Sequence, residues 1–262
     1  MITFLQFGNH GRLGNQLFQY AMMKAVATKN NFELKLPNID AGGISYFDLE
    51  CESLEPDDIH RVSAYFQDEP KYHFLSDVFD QRSGTNFHGY FQSERYFKSI
   101  EEQIRKEFQI KDKDLRRTAM KKLLAYQNFN LPIVSVHVRR GDYLTIHNGQ
   151  YHGVCPIEYY RKAMASFGEA IFIVFSDSIE WCKQNIVGPR VFYSEGNSPI
   201  LDFATISLCD HNIIANSSFS WWAAWLNKND EKRVVAPEKW FAALGPSDIQ
   251  DLIPPNWEKM WK

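Results

Sequence analysis

The chain has 262 residues, a net charge of -3 and 23% charged residues. That balance gives no reason to expect duplex nucleic acid as a partner, which would need a basic footprint, and the length suits one large or two small α/β domains. Hydrophobic residues make up 44%, enough for a sizeable core, and the 15% of aromatic residues mostly belong to that core. The four cysteines, Cys51, Cys155, Cys182 and Cys209, form neither a C-x-x-C pair nor a ligand spacing with histidine. Neither zinc nor a disulfide scaffold is expected, and a reducing compartment is.

Ile2 to Phe7 reads as a strand, Gly8 to Gly14 as a glycine-rich turn, and Asn15 to Asn30 as a helix with Leu17, Phe18, Ala21, Met22, Ala25 and Val26 at helical spacing. Phe32 to Leu36 follows as a second strand and completes a βαβ opening. The apolar start lacks the cationic head and length of a signal peptide, and no stretch approaches the ~20 apolar residues of a membrane span. A soluble cytoplasmic protein is expected, with a peripheral place at the inner face of the membrane as the alternative. Pro37 to Thr85 shows no clear period. Ser93 to Tyr126 reads as two helices, the second carrying Lys111, Lys113, Arg116, Arg117, Lys121 and Lys122; its basic residues read as a solvated face, with a membrane surface as the second choice.

Asn128 to Pro132 is read as a boundary between domains 1–128 and 129–262. Beyond it, strands at 133–138, 170–176, 190–193, 212–215 and 233–236 alternate with helices at 157–167, 179–184, 198–208 and 217–227. Alternation of this kind predicts a parallel sheet covered on both faces.

Three constellations carry chemistry. His137-Val138-Arg139-Arg140-Gly141-Asp142 closes an apolar strand, where ligands of open α/β sheets bind; two arginines there suit phosphate oxygens, while a surface ion-pair cluster is the plainer reading. Asn216-Ser217-Ser218-Phe219-Ser220-Trp221-Trp222 follows a strand and opens a helix, whose N-terminus attracts anions. Ordinary capping by Asn216 or Ser217 is compatible with that, and Trp221, Trp222 and Trp225 are assigned to the core. The turn Gly8 to Gln16 holds Gly11, Arg12 and Asn15. Its G-x-x-G-x-x-G spacing, with Glu33 downstream, only partly matches a dinucleotide fingerprint. Asp177, at another strand end, can accept two hydrogen bonds from guanine, although capping of the next helix is the simpler role.

Together these segments resemble the α-1,2-fucosyltransferases, within the GDP-fucose-dependent transferases. The resemblance runs from residue 11 to residue 226 and also includes Tyr143 and Trp181-Cys182; Asn9-His10 depart from it, where smaller residues are expected. It implies a GT-B-like α/β fold, two Rossmann-like domains facing across a cleft, the first on the acceptor side. It implies inverting transfer of L-fucose from GDP-fucose to the 2-hydroxyl of a galactose-terminated oligosaccharide or lipid-linked glycan, without metal or other cofactor. Arg139 then holds the β-phosphate and leaving oxygen, with Arg140 beside it. His137 and Asp177 lie at the nucleoside, and Asn216, Ser217, Ser218 and Phe219 line the diphosphate, which Gly11, Arg12 and Asn15 reach from the other domain. Independently of the resemblance, the D-x-D at Asp112-Lys113-Asp114 lies in a charged helical stretch and makes a poor metal site. Asp142 is the first candidate for the base, with a structural hold on Arg139 or Arg140 as the competing role and water or His147 as the other proton acceptors. A nicotinamide oxidoreductase and a non-catalytic sugar-binding module are the rival functions.

Overall fold

The computed structural model describes residues 1–68 and 72–261. The backbone divides into two compact units, Met1–Lys111 with Asp248–Pro254, and Asp112–Ser247 with Pro255–Lys262.

In the first unit, the buried start of the chain is the seam of a parallel arrangement. Ile2 bridges Leu34 and Thr3 bridges Asn86, both parallel. These bridges join two short parallel ladders, β1 (Lys35–Leu36) with β2 (Glu52–Ser53), and β3 (Ala64–Gln67) with β4 (Thr85–His88). The strand expected to reach Phe7 ends earlier, because the Phe7 N–H turns back to the Phe4 carbonyl at 2.9 Å. Helix α1 (Leu13–Asn30) follows; Leu17, Phe18, Tyr20, Ala21, Met22, Met23 and Val26 are fully buried, so it is covered on most sides. Asn31 ends it in the left-handed conformation at φ 54°. The stretch without period resolves into strands of two to four residues and 3-10 turns, too short to show one. Helix α2 (Glu101–Glu107) is preceded by 3-10 turns rather than by helix from Ser93.

The second unit begins with α3 (Lys113–Leu124), capped by the Asp112 side chain, which accepts the N–H groups of Asp114 and Leu115. The break at Lys111–Asp112 precedes the segment read as the domain boundary. Then come β5 (Ile133–Val138), α4 (Ile146–Tyr151), α5 (Ile157–Ala165), β6 (Ile171–Ser176), α6 (Ile179–Asn185), β7 (Val191–Tyr193), α7 (Pro199–Ile206), β8 (His211–Ile213), α8 (Ser218–Leu226), β9 (Val234–Pro237) and β10 (Glu258–Met260). Helix α3 packs on α7, which ties it to this unit. Of these elements, α4 and β10 were not read from the sequence.

The strand order is β10-β9-β8-β5-β6-β7 and every pairing is parallel. Starting from β5 in the centre, the chain winds out to β7, returns, and winds out the other way to β10. This is the doubly wound Rossmann order, and its topological switch point lies between β5 and β8. All six residues of β5 are buried, as expected of a strand with both faces covered. A buried amide chain locks the switch point. Asn212 donates to Ser135 Oγ at 2.8 Å and to the Ile206 carbonyl at 2.9 Å, and Asn227 donates to Asn212 Oδ1 at 2.9 Å. Trp221 and Trp222 are fully buried and Trp225 is 3% exposed, so the tryptophans of α8 are core. Among the described residues all four cysteines are free thiols, and no helix is long and apolar enough to cross a membrane.

Candidate active site

Beyond the carboxyl ends of β5, β6 and β8 lie the residues of the second unit that the sequence singled out, brought together by topology. Arg139 leaves β5 with its guanidinium between two carboxylates, 2.5 Å from Asp142 Oδ1 and 2.6 Å from Asp177 Oδ2. The other oxygen of Asp177 accepts the Arg140 backbone N–H at 2.9 Å. Asp177 therefore fixes both arginines, one by its side chain and one by its main chain. Gly141 makes this possible: a Cβ there would sit 2.5 Å from Asp177 Oδ2. The Arg140 guanidinium lies 3.7 Å from the Trp181 ring centroid, a cation–π contact that holds the charge at the strand tip.

His137, one turn of the pleat before Arg139, is 7% exposed. Burial, reinforced by the Arg139 charge, lowers its pKa to about 3, so the imidazole is neutral at neutral pH. Its ring lies 5.5 Å from that of Phe219, and its Nδ1 has no partner among the described residues. A neutral imidazole of this kind can donate to or accept from a hydroxylated ligand, but it cannot serve as a cation for phosphate.

The other wall is the start of α8. Ser217 occupies the cap position without a side-chain capping bond. The expected capping role therefore does not apply to Ser217. Asn216 is 1% exposed, and its amide donates to the carbonyls of His152, Gly153 and Trp240 at 2.9, 3.0 and 2.8 Å. That side chain ties the His152–Gly153 and Trp240 loops together around the strand ends. Tyr143 stacks on His152 at 4.5 Å with an interplanar angle of 6°, and its hydroxyl donates to the Asn216 carbonyl at 3.4 Å.

In the first unit the glycine-rich turn is held open by backbone geometry. Gly8 and Gly11 have φ of 85° and 89°, the left-handed region that side chains resist. A Cβ on Gly11 would also come within 2.4 Å of Asn15 Nδ2. Gln16 donates to the Gly11 carbonyl at 3.2 Å, and Gln19 donates to the carbonyls of His10 and Gly89 at 3.0 and 3.1 Å. Asn15 accepts from Gln92 at 2.7 Å. Arg12 is exposed at the cap position of α1 and makes no capping bond. The His10 ring stacks on Tyr90 at 4.6 Å, so the bulky residue in the turn is accommodated by an aromatic neighbour.

The profile of glycosyl transferase family 11 matches residues 4–260. The chain belongs to glycosyltransferase family 11. An Escherichia coli alpha-1,2-colitosyltransferase is 32% identical over 96% of this chain and 97% of its own length. A galactoside alpha-(1,2)-fucosyltransferase 1 from Alouatta belzebul is 33% identical over 84% of this chain and 64% of its own length. The chain thus spans less than two thirds of that second relative. In fold it is similar to the fucosyltransferase NodZ from Bradyrhizobium, with a TM-score of 0.51 at 16% identity over 85% of this chain and 91% of that one. It is likewise similar to POFUT1 in complex with GDP, with a TM-score of 0.51 at 14% identity over 90% and 97%.

In this family 11 glycosyltransferase, Asp177 pairs with Arg139 and accepts the Arg140 N–H, and Asp142 pairs with Arg139. Glu33, the carboxylate behind the nicotinamide reading, pairs with Arg61, whose hydrogen bond and charge hold its pKa below the usual carboxylate range. Asp112 caps α3 and Asp114 pairs with Arg117 at 2.9 Å, so the D-x-D is part of a helix start. The sequence reading missed His152 and the Trp240 carbonyl; both lie far along the chain from the motifs they support, and no local pattern marks them.

Proposed function

We propose that this glycosyltransferase moves L-fucose from GDP-fucose to the 2-hydroxyl of a galactoside, with inversion and without a divalent ion. In this reading it is a GT-B-like enzyme built of two Rossmann-like units. The observation that carries the reading is the preorganised Arg139 guanidinium at the β5–β8 switch point, where a nucleoside diphosphate sugar has a place to bind. As the bond to fucose breaks, negative charge develops on the GDP leaving oxygen. Arg139, Arg140 and the N-terminus of α8 are aimed at that charge and already fixed, so they need no reorganisation in the transition state. His137, kept neutral by burial, faces a hydroxylated part of the donor.

Asp142 is a positioning residue in this reading. Its short ion pair orients the guanidinium, while its own carbonyl accepts Thr145 Oγ1 at 2.9 Å and Asn148 Nδ2 at 3.1 Å and so anchors the following loop. Fucose, galactose and the α-1,2 linkage are favoured because the galactoside relative is named for that reaction and the fold neighbours are fucosyltransferases. The name of the E. coli relative favours a second reading, colitosyl transfer with the same linkage. Incubating the protein with GDP-fucose or GDP-colitose and a panel of β-galactosides, followed by linkage analysis, separates them. Fucose on the galactose 2-hydroxyl is the expected product; release of GDP from neither donor would overturn both readings.

A further inference from the structure

Helix α3 is the exception in the charge distribution of this protein. The whole chain carries a net charge of -3, yet residues 111–124 hold Lys111, Lys113, Arg116, Arg117, Lys121 and Lys122 against Asp112 and Asp114, a local excess of four positive charges. Its inner side packs on α7 through fully buried Ala119. Lys122 is only half-buried, and its charge acts on the half-buried carboxyl of Asp202 in α7.

The outer side has a definite composition. At about 100° per residue, Lys113, Arg117, Met120, Lys121 and Leu124 fall within an arc of about 100°. All five are exposed, with Met120 at 56% and Leu124 at 50%. The ion pair of Arg117 with Asp114 is itself exposed, with side chains 66% and 87% accessible, so it neutralises little. Two large apolar side chains, Met120 and Leu124, therefore share this face with three cations.

We propose that this face of α3 docks on an anionic lipid surface. Cations and apolar side chains sharing one helix face are the arrangement with which an amphipathic helix lies in a headgroup layer. The apolar groups reach the acyl boundary and the lysines and arginines meet lipid phosphates. Charge complementarity decides the occupant. A zwitterionic bilayer would leave three cations without a counterpart, and a soluble polyanion would leave Met120 and Leu124 in water. The contact is peripheral, since α3 has twelve residues and cannot span a bilayer.

The test is co-sedimentation of the full chain with vesicles of phosphatidylcholine alone or mixed with phosphatidylglycerol, alongside binding to soluble polyphosphate. Wild type should partition onto the anionic vesicles at least about ten-fold better than onto the neutral ones, and salt should weaken the binding. K113E/R117E/K121E should lose about 10²-fold in affinity. Met120→Ser with Leu124→Ser should lose about ten-fold on vesicles and nothing on polyphosphate. If the charge-reversed protein fails to fold by circular dichroism, K113Q/R117Q/K121Q takes its place, with a loss of about ten-fold or more expected. Equal partitioning onto both vesicle types, or wild-type binding by the charge variant, overturns the proposal. Vesicle binding unaffected by the two serines also overturns it and makes the face a site for a soluble acidic partner.

Discussion

The two parallel-sheet units hold their candidate segments in different ways, and the contrast shows how a site can be held. At the tip of β5 the second unit uses charge: Arg139 sits between Asp142 and Asp177, and Arg140 lies against Trp181. At the start of α1 the first unit uses backbone shape: Gly8 and Gly11 take positive φ, and Gln16 and Gln19 tie the turn carbonyls. The charged site should therefore lose function without losing its fold, whereas the glycine turn should lose both together.

The largest effect is expected at Arg139. Arg139→Ala should lower turnover by about 10²–10³ while the melting temperature stays near that of the wild type. Arg139→Lys should restore little, because a point charge cannot reproduce the fork. Steady-state GDP release and a thermal melt check both halves, and near-normal turnover would remove Arg139 from the phosphate role. Gly11→Ala is the counterpart in the first unit. A side chain at φ 89° pressed on Asn15 should cost about 1–3 kcal/mol of stability, and activity should fall in step with the denaturant midpoint. A stable but inactive Gly11→Ala protein would erase the contrast.

His137 makes a pH prediction. Its folded pKa of about 3 lies below the ordinary imidazole value of 6.5. Between those values the unfolded chain holds a proton that the folded chain does not, so His137 favours the fold fully above pH 6.5. That contribution is lost as the pH falls toward 3. Between pH 7 and 5 the loss is about 2 kcal/mol, and His137→Gln should flatten that part of the stability curve in urea titrations. Parallel curves for the two proteins would show that the imidazole is not desolvated.

A smaller effect is expected for Asp142→Asn. As a positioning residue, its loss should weaken GDP binding and turnover together, by about ten-fold each. An unchanged GDP affinity by calorimetry, with turnover collapsing alone, would instead make Asp142 the acceptor base. The smallest effect is expected from chelation: excess EDTA should leave the rate unchanged. Loss of activity with EDTA and its return with Mn²⁺ would end the metal-free reading.

Much of the second unit was legible from residue pattern. Strand β5 was read at Ile133–Val138 and found there, because a strand buried on both faces is an unbroken apolar run that needs no tertiary information. The alternation of strands and helices likewise implied parallel pairing. Strands β3 and β4 were not legible, since ladders of four residues are shorter than the window in which a period can be counted.

By itself, the sequence determined the chemistry available at the strand ends: two adjacent arginines, an imidazole, and small residues opening a helix. Family 11 was visible in the ordered motifs for the same reason, since each is contiguous in the chain. What only the tertiary structure decided is which of these groups act as partners. Asp177 is 38 residues from Arg139 and meets it because β5 and β6 are neighbours in register. Asn216 became a brace because the His152, Gly153 and Trp240 carbonyls converge on it from loops that are remote in sequence. A side chain's hydrogen-bonding capacity is local, but whether it is already satisfied depends on the folding of distant segments, and that separates residues that can face a ligand from those that hold the site together.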